Sequence, residues 1–146
     1  MKVAFGCDHG GFVLKKEVMD YLNKKGFEVI DFGTDSEESV DFANYSKKVG
    51  DCVTSGKADK GILICGTGVG ISIAANKIKG VRCALVSDTF TAHATREHND
   101  ANIIAMGGRV IGPGLAVDIV DAFLNTDFSG DERHKRRIEQ ISALEG

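Results

Sequence analysis

Hydrophobic positions along this chain alternate between short strand-like runs and longer stretches with helical spacing. Val3 to Phe5 is an apolar run that gives way to Gly6 and a polar turn. Leu14, Val18, Tyr21 and Leu22 then recur at the spacing of one helix face, and Gly26 follows as a stop. Val29 to Phe32 predicts a second strand, and Gly33 to Asp41 a polar, acidic loop. Phe42 to Ser55 predicts a helix of weaker periodicity. Gly61 to Cys65 is continuously apolar, as expected of a strand covered on both faces. Beyond a glycine-rich turn come a helix over Ile71 to Ile78, a strand over Arg82 to Val86 and a helix over Thr89 to Glu97. Asn102 to Met106 predicts a fifth strand, ended by Gly107 and Gly108. Pro113 suits a first helical position, and Leu115, Ile119, Val120, Phe123 and Leu124 share the apolar face that follows. The tail predicts a last helix from about residue 133 to Leu144.

Strands alternating with helices imply βαβ units. The expected fold is therefore α/β: a three-layer α/β/α, Rossmann-like arrangement with a mainly parallel five-stranded sheet, in one domain over residues 1–146. Sites in such sheets lie beyond the carboxyl ends of the strands. That rule selects Cys7, Asp8 and His9; Cys65 to Gly70; Ser87 and Asp88; and Gly107 to Arg109.

Composition narrows the function class. With 42% apolar and 27% charged residues, a packed soluble core is expected. The net charge of −3 argues against a surface that coats nucleic acid. No apolar run approaches the roughly 20 residues that span a bilayer, and the amino-terminal segment turns polar too early for a signal peptide. A cytoplasmic protein with no nucleic-acid or membrane partner is the expectation. Cys7, Cys52, Cys65 and Cys83 lie far apart, so neither a zinc cluster nor a disulfide framework is expected.

The sharpest local feature is Cys65-Gly66-Thr67-Gly68-Val69-Gly70, at a strand–helix junction. Glycines there let backbone amides approach an anion at a helix start. Ile71 stands where the dinucleotide fingerprint needs glycine, and no P-loop lysine follows, so the loop suits an anion and not a nucleotide. Cys65 beside those amides suits a base or nucleophile, with a packed core thiol as the alternative. Asp8-His9 suits hydroxyl or phosphate binding, with Asp8 as a helix N-cap the competing reading. His98-Asn99 precedes the fifth strand, where His98 either moves a proton or is an ordinary surface residue. His93 reads as helix surface. Arg133 and Arg137, four apart, share one helix face and suit a phosphate, while Lys135 and Arg136 point elsewhere. Arg109 is a further cation at the strand rim. Together these groups suit a small phosphorylated substrate with an ionisable carbon.

Five stretches carry a resemblance: GCDHGG (Gly6 to Gly11), ICGTGVGISIAANK (Ile64 to Lys77), REHNDANI (Arg96 to Ile103), GGRVIG (Gly107 to Gly112) and RHKRRIEQI (Arg133 to Ile141). In these the sequence closely resembles the ribose 5-phosphate isomerase B family, which also includes galactose 6-phosphate isomerase subunits. The resemblance implies an aldose–ketose isomerase acting through an enediolate, without metal or cofactor. It implies a homodimer with each site built from both chains, and leaves open whether dimers pair further. By it, Cys65 is the base between carbons 1 and 2, and His98 assists ring opening. Thr67 and the amides of Gly66, Gly68, Val69 and Gly70 form the anion hole. Asp8 and Asn99 bind sugar hydroxyls; His9, Arg109, Arg133 and Arg137 bind the phosphate. This chain departs from the family's Asp-Tyr-Pro at Asp41-Phe42-Ala43, losing a hydroxyl, and its tail is longer at Gly130-Asp131-Glu132-Arg133. Both departures bear on sugar choice, so a six-carbon sugar phosphate is the alternative substrate. A non-catalytic phosphosugar-binding module is less favoured, because Cys65, Thr67 and His98 are all present.

Overall fold

A computed structural model describes all 146 residues. The strands are β1 (Lys2–Cys7), β2 (Glu28–Asp31), β3 (Lys60–Cys65), β4 (Cys83–Leu85) and β5 (Ile103–Gly107). The helices are α1 (Phe12–Lys24), α2 (Phe42–Thr54), α3 (Val69–Ala75), α4 (Thr89–Asn99), α5 (Pro113–Asn125) and α6 (Glu132–Ala143). The five strands form one sheet in the order β2-β1-β3-β5-β4, and every pairing is parallel.

Side-chain alternation divides the core between the two faces. Val3, Phe5, Ile62, Ile64, Ile104 and Met106 point to one side, where Leu14 and Val18 of α1, Ala92 of α4 and Ile119 and Phe123 of α5 cover them. Ala4, Leu63, Cys65, Ile103 and Ala105 point to the other, beneath Val49 and Val53 of α2 and Ile71 and Ala75 of α3. Phe5 and Phe123 are fully buried. Truncating either to alanine would cost about 3–5 kcal/mol through lost burial and the cavity left behind.

The elements follow the hydrophobic pattern, with shifts at their ends. The third helix starts at Val69 and stops at Ala75, earlier at both ends than the apolar positions suggest. Its C-cap, Asn76, turns its side-chain amide to the backbone of Cys83, donating to the carbonyl at 2.9 Å and accepting from the amide at 2.8 Å. An amide side chain thus occupies part of the free edge of β4. The fourth helix runs on through His98 and Asn99 and ends at Asp100, which holds a left-handed φ of 47°. Those two residues therefore ride on a helix end, not beyond the helix that the sequence predicts to stop at Glu97.

Parallel connectivity fixes which end of the sheet each group occupies. The turns leaving β1, β3 and β5 gather at the carboxyl edge. Helix α4 runs back from the carboxyl end of β4 to the amino end of β5, so its last turn lies at the amino edge. The start of α6 docks there, with the Ser129 amide donating to the Glu97 carbonyl at 3.1 Å.

Candidate active site

At the carboxyl edge three turns meet backbone to backbone. A Cβ on Gly10 would lie 2.7 Å from the Gly66 nitrogen, one on Gly11 2.2 Å from the Ile64 oxygen, and one on Gly108 2.4 Å from the Gly10 oxygen. Glycine is needed at these positions because the neighbouring atoms are backbone and cannot move aside. The contact brings Asp8, Cys65 and Arg109 to one rim.

Cys65 ends β3 with its side chain almost buried, and its Sγ accepts the Gly68 amide at 3.1 Å. Thr67 is exposed, and its Oγ1 accepts the Val69 amide at 3.2 Å. Two of the amides expected in the anion hole are therefore engaged within the loop. Those of Gly66 and Gly70 make no hydrogen bond in the chain and remain the available donors. Arg109 lies across Gly66, its Nη1 3.0 Å from where a Cβ would stand, and its own amide donates to the Gly66 carbonyl at 3.0 Å. Asp8 is buried; its Oδ1 accepts the amides of Gly10 at 2.8 Å and Gly11 at 3.2 Å. It organises the turn without capping α1, whose N-cap is Gly11.

His9 is half-buried, and its Nδ1 accepts the Val40 amide at 3.2 Å. A neutral His9 therefore carries its proton on Nε2, as a donor. Val40 belongs to the segment between β2 and α2, which Lys15 holds down. The Lys15 Nζ meets Asp31 at 2.9 Å, Asp35 at 2.8 Å and the Thr34 carbonyl at 3.0 Å. At the start of α2, the Phe42 ring lies over Gly70, its Cζ 2.7 Å from where a Cβ would stand. Asp88 is engaged in capping α4, where it accepts the Thr91 amide at 2.7 Å, and Ser87 is exposed.

The remaining candidates assemble at the amino edge. His98, Asn99, Arg133, His134 and Arg137 line a polar cleft of about 430 Å³. Arg133 and Arg137 share the face of α6 that their spacing suggested, whereas Lys135 turns away to pair with Glu132 at 3.5 Å and Arg136 does not line the cleft. His134 was missed in the sequence. It is buried, and its ring centroid lies 4.7 Å from that of His98. Its place three residues before Arg137, on the same helical face, was the signal available.

The thiols other than Cys65 are set apart from this chemistry. Burial pushes Cys7 up to about 12, as it does Cys83. Cys52 packs in the core between α2 and the sheet.

Comparison with known proteins places this arrangement. The family described as Ribose/Galactose Isomerase matches residues 3–141. Ribose-5-phosphate isomerase B of Escherichia coli is 51% identical over 99% of this chain and 96% of its own length. The structure of Clostridium thermocellum ribose-5-phosphate isomerase B superposes with a TM-score of 0.97 at 53% identity, covering 99% of this chain and 97% of that one. The Mycoplasma genitalium ribose-5-phosphate isomerase B solved with bound ribulose-5-phosphate superposes with a TM-score of 0.93 at 40% identity, covering 99% and 95%.

Proposed function

The chain belongs to the ribose/galactose isomerase family, and from that footing we propose how its two clusters carry the reaction. The reaction is the aldose–ketose interconversion of ribose 5-phosphate and ribulose 5-phosphate. The observation that carries the mechanism is Cys65 Sγ beside the available amides of Gly66 and Gly70.

His98 gives a proton to the ring oxygen of the furanose as the C1–O bond breaks, and the C1 hydroxyl passes its own proton to water, which leaves the open-chain aldehyde. Cys65, as a thiolate, takes the proton from C2. The electron pair moves onto the C1 carbonyl oxygen, and the amides of Gly66 and Gly70, with the Thr67 hydroxyl, receive the enediolate charge. Cys65 returns the proton to C1 as the O2 proton passes to O1, leaving the C2 ketone. Because one base serves adjacent carbons, the steps call for no metal or cofactor. Asp8, through the Oδ2 left free by the turn, and Asn99 hold sugar hydroxyls. His9, Arg109, Arg133 and Arg137 hold the phosphate, which does not react but keeps C1 and C2 beside the sulfur.

A complete site in this reading spans two copies of the chain. Cys65 and His98 lie at opposite edges of the sheet, and a six-residue strand such as β3 is about 20 Å long. No sugar phosphate bridges that span within one chain. A second copy that brings its amino-edge cleft over the carboxyl-edge rim closes the site, in a homodimer whose two sites are equivalent. No helix is long and apolar enough to cross a membrane, and we take the cytoplasm as the compartment.

The test is an isomerase assay on five- and six-carbon aldose phosphates, with and without a chelator. Preferred turnover of ribose 5-phosphate that survives the chelator is expected. Preference for a six-carbon sugar would overturn the substrate assignment. Activity restored only by a divalent ion would overturn the metal-free mechanism.

A further inference from the structure

His134 has no part in the chemistry above, yet it touches two groups that do. It is 6% exposed at the start of an otherwise solvent-facing helix. Its Nδ1 lies 2.6 Å from Ser129 Oγ, and its Nε2 accepts a long 3.5 Å hydrogen bond from Arg133 Nε. An Nε2 that accepts has no proton, so the neutral ring carries its proton on Nδ1 and donates it to Ser129 Oγ. Ser129 is fixed in turn, its amide bonded to the Glu97 carbonyl in the last turn of α4. The His134 ring face is tilted 37° to that of His98, with Phe128 6.5 Å away on another side.

The ring's charge state is set by its surroundings. Burial, then the charges of Arg133, His98 and Arg137, hold its pKa below the ordinary histidine range, against an opposing pull from Asp131. A neutral imidazole keeps its lone pair for Arg133 and adds no charge beside His98.

We propose that His134 is a positioning residue that acts on both sides of the cleft, its ring face setting the plane of His98 and its Nε2 lone pair aiming the Arg133 guanidinium. The inference rests on the roles given above to those two residues. It separates binding from ring opening. Arg133 holds the phosphate of either sugar. His98 is needed only when the substrate is a closed ring. Ribulose 5-phosphate has no free hydroxyl with which to close a furanose, so it reacts from the open chain, and open-chain ribose 5-phosphate closes by itself in solution.

Two variants divide the functions. His134→Phe keeps a flat ring against His98 and removes both nitrogens. His134→Asn keeps a donor for Ser129 and removes the ring face. Each is assayed in both directions, with the melting temperature recorded and His98→Asn run alongside. For His134→Phe, KM for both sugars should rise roughly fivefold, the worth of one ordinary hydrogen bond, with the forward-to-reverse ratio of turnover unchanged. For His134→Asn, kcat from ribose 5-phosphate should fall roughly tenfold to a hundredfold, as misplaced catalytic groups do, with kcat from ribulose 5-phosphate largely kept. The ratio of the two KM values should shift in proportion, because the equilibrium constant fixes the ratio of the kcat/KM values. If His134→Asn does not fold, His134→Leu serves as the variant lacking a ring. Equal losses of turnover in both directions for His134→Asn, or wild-type kinetics in either variant when folded, would overturn the proposal. If His98→Asn itself slows both directions equally, the ring-opening role of His98 is wrong. That failure is distinct from one in which His98→Asn shows the directional bias and His134→Asn does not.

Discussion

Cys65 closes β3 at the carboxyl edge of the sheet, and His98 lies in the last turn of α4 at the amino edge. The two groups that the proposed chemistry needs on one sugar are thus held apart by the length of a strand. Two incomplete chains should therefore complement each other. When Cys65→Ala and His98→Asn proteins, assayed with ribose 5-phosphate as substrate, exchange subunits, a mixed dimer has one site with both native groups and one with neither. Activity should return to roughly a quarter of the wild-type value for random exchange into two-fold dimers. No recovery under demonstrated exchange, or full activity from a monomer at low concentration, contradicts the shared site.

Removing the sulfur should end turnover without ending the fold. Cys65→Ala should lose roughly 10²–10⁴-fold in kcat, the usual share of a positioned acid–base group, and still bind phosphate. Cys65→Ser should also be poor, because a hydroxyl rarely ionises. Circular dichroism and phosphate binding check the fold, and near-normal turnover would move the search for the base to Asp8 and His98.

Alkylation should discriminate among the thiols. Cys7 and Cys83, both pushed up to about 12 by burial, present almost no thiolate at pH 8. Iodoacetamide should inactivate the enzyme through Cys65, and a substrate analogue should protect it. Peptide mapping by mass spectrometry reads the site of attachment; modification of Cys7 or Cys83 that tracks the loss of activity would refute the assignment. Cys52→Ala and Cys83→Ala should change stability and leave turnover largely intact.

The arginines of α6 should differ by position. Arg133→Ala and Arg137→Ala should each weaken phosphate-dependent binding by about 1.5–3 kcal/mol, the worth of a hydrogen bond to a charged group. Arg136→Ala, off the cleft, should do much less. Competition by inorganic phosphate measures this, and equal losses at all three positions would mean that general charge is responsible.

Lys15 gives a pH-dependent test of the segment that carries Val40. Burial lowers its pKa, but hydrogen bonds to Asp35 and Asp31 outweigh that, and the net shift is upward. A raised lysine contributes stability that is fully present below its unfolded pKa and is lost as pH rises through the folded one. Lys15→Met should cost about 1–2 kcal/mol at pH 7, since Asp35 is exposed and screened. The gap to wild type should be constant up to about pH 10, the ordinary lysine value, and narrow above it as the pH rises toward the raised folded value. Urea unfolding at pH 7, 9 and 11 reads the gap, and one that is constant or widens with pH would refute the ion-pair account.

The sequence by itself determined the order of elements and the identity of the carboxyl-edge turn. Alternating apolar periods of two kinds suffice for a parallel sheet under helices, because each pattern fits only one backbone geometry. The run from Cys65 to Gly70 was legible because the role proposed for it depends on residues adjacent in the chain. Arg133 and Arg137 were legible for a related reason, since four residues make one helical turn.

Only the tertiary structure decided what depends on contacts between distant segments. It shows that Gly68 and Val69 spend their amides inside the loop, which no spacing reveals. It sets the Val40 amide on His9 and so fixes the tautomer of a residue 31 positions away. It buries His134 against His98 although the helix around it is almost wholly polar. It divides one list of site residues between two edges of a sheet. That division follows from the path of α4, which must return to the amino end to start the next parallel strand, and so carries His98 away from Cys65.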